Sequence, residues 1–457
     1  METREENIPE LDLIRSGRNF LGILNDLKRR PEDAAKELGI SEDEINSIIS
    51  GKKEISSDLV NLAIKIWPVN ARDFYINRDD CPSGIKIMRA KDSEKSKRIM
   101  DRAGKPYYEY RDTVMSTNCH FRPEWIMELC TVEDNEPDNP TAQWNNGHFI
   151  HQFTYFIGEV NFYYKSSSGE KKIAIMNTGD SMYVNPFAPH TFTTRKGAKQ
   201  NGLILALTYG NKLKGDSQQE LSSISSKLGS EFVLDFSSKN KAVSSLFKFH
   251  RKAASLSLNE LSKRSTITLD KLHEFENGKL VPTYTEFEQL ANALNVNTRD
   301  LLPNDIMENK VVIKYNNECK KWYYPESTKA YELRELAFTR ALPYSKAFEM
   351  MVQKTDNNDL DLSAGLHQYV YNVGEMSVTI NWTLNDKNYK EIIYPGDSMY
   401  IKPFLKHNFR GKGKLLILRI GGKMTGDPQI ELSHIEKENT ERAISETMQW
   451  FDPKGKN

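Results

Sequence analysis

Little in this chain of 457 residues pulls in one direction. Its 63 basic and 63 acidic residues cancel, so no global field draws it to nucleic acid or an anionic membrane. The four cysteines, Cys81, Cys119, Cys130 and Cys319, include no C-x-x-C pair and suggest neither a zinc knuckle nor a disulfide framework. No stretch reaches the ~20 consecutive apolar residues that span a bilayer. The opening M-E-T-R-E-E-N-I-P-E lacks the basic-then-apolar order of a secretory signal. A Gly-rich nucleotide loop and a G-x-S-x-G elbow are also missing. The expectation is a cytoplasmic protein, a homo-oligomer, with neither membrane nor nucleic acid among its partners.

What the chain does have is a duplication, and internal repeats govern how everything else is read. G-E-V-N-F-Y-Y from Gly158 and G-D-S-M-Y-V-N-P-F-A-P-H ending at His190 return later. There they read G-E-M-S-V-T-I from Gly374 and G-D-S-M-Y-I-K-P-F-L-K-H ending at His407, offsets of 216 and 217 residues. One copy is a control for the other. Shared residues read as architecture, and residues found in one copy only are candidates for chemistry.

Each half opens with a helical pattern. Pro31 to Leu38 closes on Gly39, and Ser41 with Glu44 forms a capping box for a helix that Gly51 ends. Leu256 to Arg264, then Ile267 to Lys279 with Pro282 beyond, repeats the arrangement. Both modules resemble the helix-turn-helix of the phage-repressor family. After each come runs such as V-N-F-Y-Y, K-I-A-I-M, S-V-T-I-N-W and K-L-L-I-L-R-I, cut by turn residues, which predict antiparallel barrels or sandwiches. The G-D-S-M-Y-(V/I)-x-P-F-x-x-H segment resembles the second conserved motif of the cupin family, which delivers a histidine into a barrel. The expected class is therefore α+β: a tandem repeat of a helix-turn-helix-like module plus a cupin (double-stranded β-helix) barrel, the second barrel degenerate. Expected boundaries are a helical module at 1–81, the catalytic barrel at 82–210 and a linker (Asn211 to Glu231) with the second module at 211–310. The degenerate barrel follows at 311–422 and a tail at 423–457.

A metal site in such a barrel needs neutral imidazoles. Two histidines and one carboxylate with open positions suit Fe(II) and O2. On a strand through N-N-G-H-F-I-H-Q-F, His148, Ile150 and Gln152 share one face. Aligned by the Gly-Glu and Gly-Asp anchors, His148 opposes Ala364, Gln152 opposes Gln368 and His190 opposes His407. The second copy has lost an imidazole and reads as structural only. No carboxylate completes the set in the first copy. Glu159 and Asp180 recur as Glu375 and Asp397, so they read as turn residues. Gln152 is left as the third ligand, through its amide oxygen, with His148 and His190. Four residues of straight strand separate Cα atoms by ~13 Å, so the chain must bend between His148 and Gln152. His151 and His367 recur and point away, and His120 is a weaker candidate at a barrel mouth.

R-A-G-K-P-Y-Y-E-Y-R-D-T from Arg102, N-x-x-H from Asn145 to His148 and the G-D-S-M…P-H motif, with the two modules, resemble the phosphonate dioxygenase family over nearly the whole chain. That resemblance implies Fe(II) as cofactor, O2 as co-substrate and cleavage of the carbon–carbon bond of 2-hydroxyethylphosphonate. One branch of the family makes hydroxymethylphosphonate and formate; a synthase branch makes methylphosphonate and carbon dioxide. A related subfamily keeps a glutamate where this chain has Val184, and His-x-x-x-Gln at His148 to Gln152 resembles the synthase branch. The implied reaction is the one giving methylphosphonate, with the dioxygenase outcome as the alternative.

By the same resemblance, Arg102 and Tyr110 grip phosphonate oxygens and Asn145 donates beside the metal. Lys28 closes over the substrate, so that Lys28 and Tyr110 serve catalysis as well as binding. Asn201, in the loop after His190, is the last candidate. The second copy sets Leu333 at the place of Tyr110, Asp361 opposite Asn145 and Ser255 opposite Lys28. A DNA-binding regulator is the rival reading from another class. Against it, the helix openings S-E-D-E-I-N and T-L-D-K-L-H put acid where DNA phosphates would lie.

Overall fold

Short polar side chains fix where the helices start. In the computed structural model, which describes residues 9–210, 212–304 and 310–445, Ser41 and Ser56 Oγ accept from the backbone of Glu44 and Leu59, both at 3.2 Å. Ser257 does the same for Glu260 at 3.1 Å, and Thr283 shares a full capping box with Glu286. The N-terminal helices Glu10–Asp26, Pro31–Leu38, Glu42–Ile49 and Ser57–Ile66 close over Phe20, Leu24, Leu38, Ile45, Ile48 and Trp67. They belong to a compact unit that also takes in Ser116–Cys119 and residues 422–445. The second set, Lys239–Ala253, Leu258–Ser265, Leu269–Glu276 and Tyr284–Leu294, closes over Phe247, Leu261, Leu272, Phe275 and Leu290. The two sets share backbone detail: Lys28 and Ser255 both turn left-handed after the first helix, at φ +59 and +54.

The segment expected as a linker is partly helical, with Asp216–Ser223 and Ser226–Gly229, while residue 211 lies outside the described residues. The tail carries Asp427–His434 and Lys437–Ile444. No residue of Asp216–Ser223 or of the two tail helices is buried, so no apolar period marks them in the sequence. No helix among the described residues is long and apolar enough to cross a membrane.

The remaining unit holds the sheets, and its repeat is plain. In the first half a seven-stranded antiparallel sheet runs Val311–Lys314, Ser181–Val184, His151–Ile157, Leu203–Tyr209, Phe121–Glu128, Lys105–Asp112 and Arg98–Arg102. A three-stranded sheet of Lys171–Met176, Val160–Lys165 and His190–Thr194 shares its core of Phe156, Phe162, Met182, Phe192, Ile204 and Ala206. The second half runs Ile85–Met88, Ser398–Ile401, His367–Asn372, Lys414–Ile420, Ser345–Val352, Tyr331–Glu335 and Lys321–Tyr324. Its small sheet is Lys387–Ile393, Val378–Leu384 and Lys406–Gly411.

Each large sheet takes its outer strand from the opposite half. Ile85–Met88 pairs with Ser398–Ile401, and Val311–Lys314 with Ser181–Val184. The expected segments 82–210 and 311–422 are therefore not self-contained. The repeated Gly-Asp turn is the clasp. Asp180 accepts from the backbone of Asn177 at 2.7 Å and of Asn316 at 2.8 Å. Asp397 accepts from the backbone of Tyr394 at 3.0 Å and Ala90 at 2.9 Å, and pairs with Arg89 at 2.9 Å. Both aspartates are spent on architecture.

Candidate metal centre

Two imidazoles and one amide converge in the first half. His148 Nδ1 lies 2.7 Å from the Ile150 carbonyl, and His190 Nδ1 lies 2.8 Å from that of Ala188. A carbonyl only accepts, so each Nδ1 carries a proton, and a ring in its neutral form presents its lone pair at Nε2. The rings meet edge to face with centroids 5.2 Å apart. Burial above all pushes His190 down to about 4, against its hydrogen bond to the Ala188 carbonyl and with help from the charge of Arg102, so its ring is neutral at pH 7.

Gln152 Nε2 donates to Thr154 Oγ1 at 2.8 Å, which turns its Oε1 to within 2.9 Å of His148 Nε2. An amide oxygen and a ring nitrogen thus converge on one point, as donors to a shared cation would. Among the described residues, no three His, Cys, Asp or Glu side chains form a metal-binding group. The third donor on offer is a neutral amide.

The reach between positions 148 and 152 is solved by ending the strand early. The strand starts at His151, and His148 stands before it in a bend that follows Gly147, at φ +77. The two residues do not share a straight strand, contrary to the single face expected for them. Glycine is required at 147, because an added Cβ would lie 2.5 Å from the Phe187 carbonyl carbon. Val184 is the register partner of Gln152 on the adjacent strand. Cross-strand Cβ atoms are ~5 Å apart, so an amide at 152 reaches the space that a longer side chain at 184 would fill.

Three further candidates gather beside these ligands. Arg102 Nη1 donates to the Gln143 carbonyl at 2.6 Å and to Thr191 Oγ1 at 3.3 Å, and its guanidinium carbon lies 4.7 Å from the Tyr108 ring centre. Tyr110 packs edge-on against Tyr108 at 5.8 Å and feels the charge of Arg102. Asn145 Nδ2 lies 3.2 Å from His190 Nε2, and its Oδ1 accepts from the His190 backbone at 2.9 Å.

Two acids that the sequence reading passed over stand close by. Glu128 is fully buried, and neither of its carboxyl oxygens has a hydrogen-bond partner. Burial pushes its carboxyl well above the usual range, against the pull of Arg102. Glu124 is raised too, by burial first, with Arg98 and His148 pulling it down. The signal lay in E-W-I-M-E, where both acids are in phase with Ile126, which enters the core. In the second half the same register holds Phe348 and Val352.

Other candidates lie elsewhere. Asn201 is exposed beside Gly158, at the far end of the strand from Gln152, roughly 20 Å away by strand rise. The structure does not bring it to the site. Lys28 belongs to the N-terminal helical unit, where Nζ donates to the Asp26 carbonyl at 3.0 Å. His151 turns away, its Nδ1 2.5 Å from Tyr183 Oη, as His367 does toward Tyr400 at 2.7 Å.

The second half keeps the shape and changes the chemistry. His407 Nδ1 is 2.8 Å from the Leu405 carbonyl, as in the first half. Gln368 Oε1 meets no imidazole, because Ala364 stands where His148 would; it accepts from Arg419 Nε at 2.9 Å. Arg419 occupies the register of Thr208. Leu362, rather than Asp361, makes the backbone contact to His407 that Asn145 makes to His190. The second loop is one residue shorter there, and Asp361 accepts instead from Tyr331 Oη at 2.9 Å.

A family model described as a helix-turn-helix domain matches residues 245–304. Over its full 457 residues the chain is 62% identical to the methylphosphonate synthase of Nitrosopumilus maritimus (strain SCM1), also covered completely. It is 30% identical over 129 residues to the (S)-2-hydroxypropylphosphonic acid epoxidase of Streptomyces wedmorensis, spanning 28% of this chain and 60% of that one. Among solved structures, Streptomyces albus HEPD with 2-hydroxyethylphosphonate and Fe(II) bound matches with a TM-score of 0.90 and 35% identity, over 96% of this chain and 99% of that one. A hydroxyethylphosphonate dioxygenase variant matches at 0.75 and 16% identity, over 94% and 99%, a likeness of fold.

Proposed function

The chain belongs to the methylphosphonate synthase family, and from that premise we propose that it uses Fe(II) and O2 to split the carbon–carbon bond of 2-hydroxyethylphosphonate, giving methylphosphonate, carbon dioxide and water. His148, His190 and Gln152 hold the iron, and when bound Fe(II) supplies the one-electron chemistry through which O2 reacts. Three neutral donors leave its double charge uncancelled, which favours a chelating phosphonate dianion. Arg102 offers the planar fork suited to phosphonate oxygens, and Tyr110 and Asn145 donate beside it. Lys28 is kept as a further substrate contact, and Lys28→Ala is expected to raise KM more than it lowers kcat.

In the same reading each half is a helix-turn-helix-like module with a cupin barrel, the second degenerate. None of the four thiols forms a disulfide among the described residues, which suits a reducing cytoplasm, and association into a homo-oligomer is open to light scattering. The matching helix-turn-helix model gives a DNA-binding regulator its support. Against that, Glu42, Asp43 and Glu44 crowd one candidate recognition helix start and Asp270 the other.

The observation that carries the synthase outcome over the dioxygenase one is the Gln152 oxygen at His148, with Val184 across the strand. Protein loaded anaerobically with Fe(II) and 2-hydroxyethylphosphonate, then given O2, is read by phosphorus NMR. A methylphosphonate signal is expected. Hydroxymethylphosphonate would move the chain to the other branch, and unchanged substrate with DNA affinity in a gel shift would return it to the regulators.

A further inference from the structure

Arg419 is a charge that the chemistry of the first barrel does not use. It continues the inward row of Leu415 and Ile417 on the strand Lys414–Ile420. Its Nε is 2.9 Å from Gln368 Oε1, and its charge bears on His407. The guanidinium thus stands among the two side chains whose counterparts, Gln152 and His190, flank the candidate iron position.

That cation has no anion. Burial opposes its charge, and no carboxylate among the described residues pairs with it. Its terminal nitrogens hold no hydrogen bond or ion pair among the described residues. Gln368 is 1% exposed and its Nε2 also lacks a partner. Where the first barrel has the acid Glu124, the second presents Phe348, whose ring lies 5.4 Å from the guanidinium. Only the Nε donor is spent. The two terminal nitrogens and the amide nitrogen are N–H donors, and among the described residues no carboxylate bonds to them.

We infer that the mouth of the second barrel is a binding site for a small oxyanion, held by the Arg419 fork and the Gln368 amide, in place of a metal. A guanidinium matches two oxygens of phosphate, phosphonate or carboxylate alike, so the ligand could be free phosphate or a phosphonate handled by the first barrel. This inference does not depend on the reaction proposed for the first barrel.

The test is titration calorimetry on the iron-loaded full chain with inorganic phosphate, with methylphosphonate and with formate, in wild type, Arg419→Met and Arg102→Met. Wild type is expected to show an equivalent that survives Arg102→Met and is weakened at least tenfold by Arg419→Met. Phosphate and methylphosphonate binding alike points to free phosphate as a sufficient ligand, and methylphosphonate alone to a phosphonate site. If Arg419→Met does not fold, Arg419→Lys keeps the charge without the fork and should weaken the same equivalent. No anion equivalent beyond the one that Arg102→Met removes would overturn the inference, as would one unchanged in a folded Arg419 variant.

Discussion

Gln152 and Gln368 are the same residue at the same register, and what separates them is the neighbour each oxygen meets: an imidazole lone pair in one half, a guanidinium in the other. If Gln152 is the ligand proposed for it, Gln152→Ala is expected to lose iron and at least ~100-fold in turnover. Gln368→Ala should keep both. Iron per chain by elemental analysis beside product formation decides it; equal losses in the two variants would deny Gln152 its role. The pair was legible in sequence because the repeat supplied a control. Glu128 was not, because strand alternation tells which residues share a face without telling which face meets a site. Burial pushes its carboxyl upward, towards the protonated form, and glutamine has that form's shape without the acid. Glu128→Gln should then change stability by less than about 1 kcal/mol, whereas Glu128→Ala, which opens a cavity, should cost about 2–4 kcal/mol. Urea unfolding of the two variants measures the difference. A glutamine variant as damaged as the alanine one would mean an ionised Glu128 paired to Arg102.

Between residue and molecule lies the bend that carries His148. The need for a bend could be read from four residues and ~13 Å of straight strand; that the strand simply begins at His151 could not, since F-I-H-Q-F continues the alternation. The same loop is one residue shorter in the second half, which is why Leu362 and not Asp361 faces His407. A slip of that size between anchors leaves no mark in an ungapped comparison. Gly147→Ala tests the bend itself. A left-handed alanine costs about 1 kcal/mol, and its Cβ would press on the Phe187 backbone at 2.5 Å. The loop must shift and take His148 with it. Iron affinity is expected to fall by ~10- to 100-fold while the circular dichroism spectrum stays unchanged. Unaltered iron content in a folded Gly147→Ala would show that the bend does not position the ligand.

Across the whole molecule the repeat sets a shared response to acid. His151, His190, His367 and His407 are each pushed down to about 4, with burial the first cause in every case. Unfolded, each would titrate near 6.5. As pH falls below that value the unfolded chain takes up protons that the folded one refuses, so stability is full above about 6.5 and is lost on the way down to about 4. Each ring contributes up to about 3 kcal/mol by this route, and four together rival the ~5–15 kcal/mol that typically hold a domain folded. Glu124 and Glu128 work the other way, because carboxyls raised in the folded state bind protons there first. Two acids do not offset four histidines, so the iron-free protein should unfold before pH 4. The slope of stability against pH near 5 should correspond to between two and four protons. On the proposed ligand set, iron is expected to shift the transition to lower pH, because metal binding requires unprotonated ring nitrogens. His367→Gln, far from the iron ligands in sequence but equal in burial, should remove about one proton from that slope in both forms. A stability curve flat from pH 7 to 5 would mean that these rings are charged inside the fold, His190 among them.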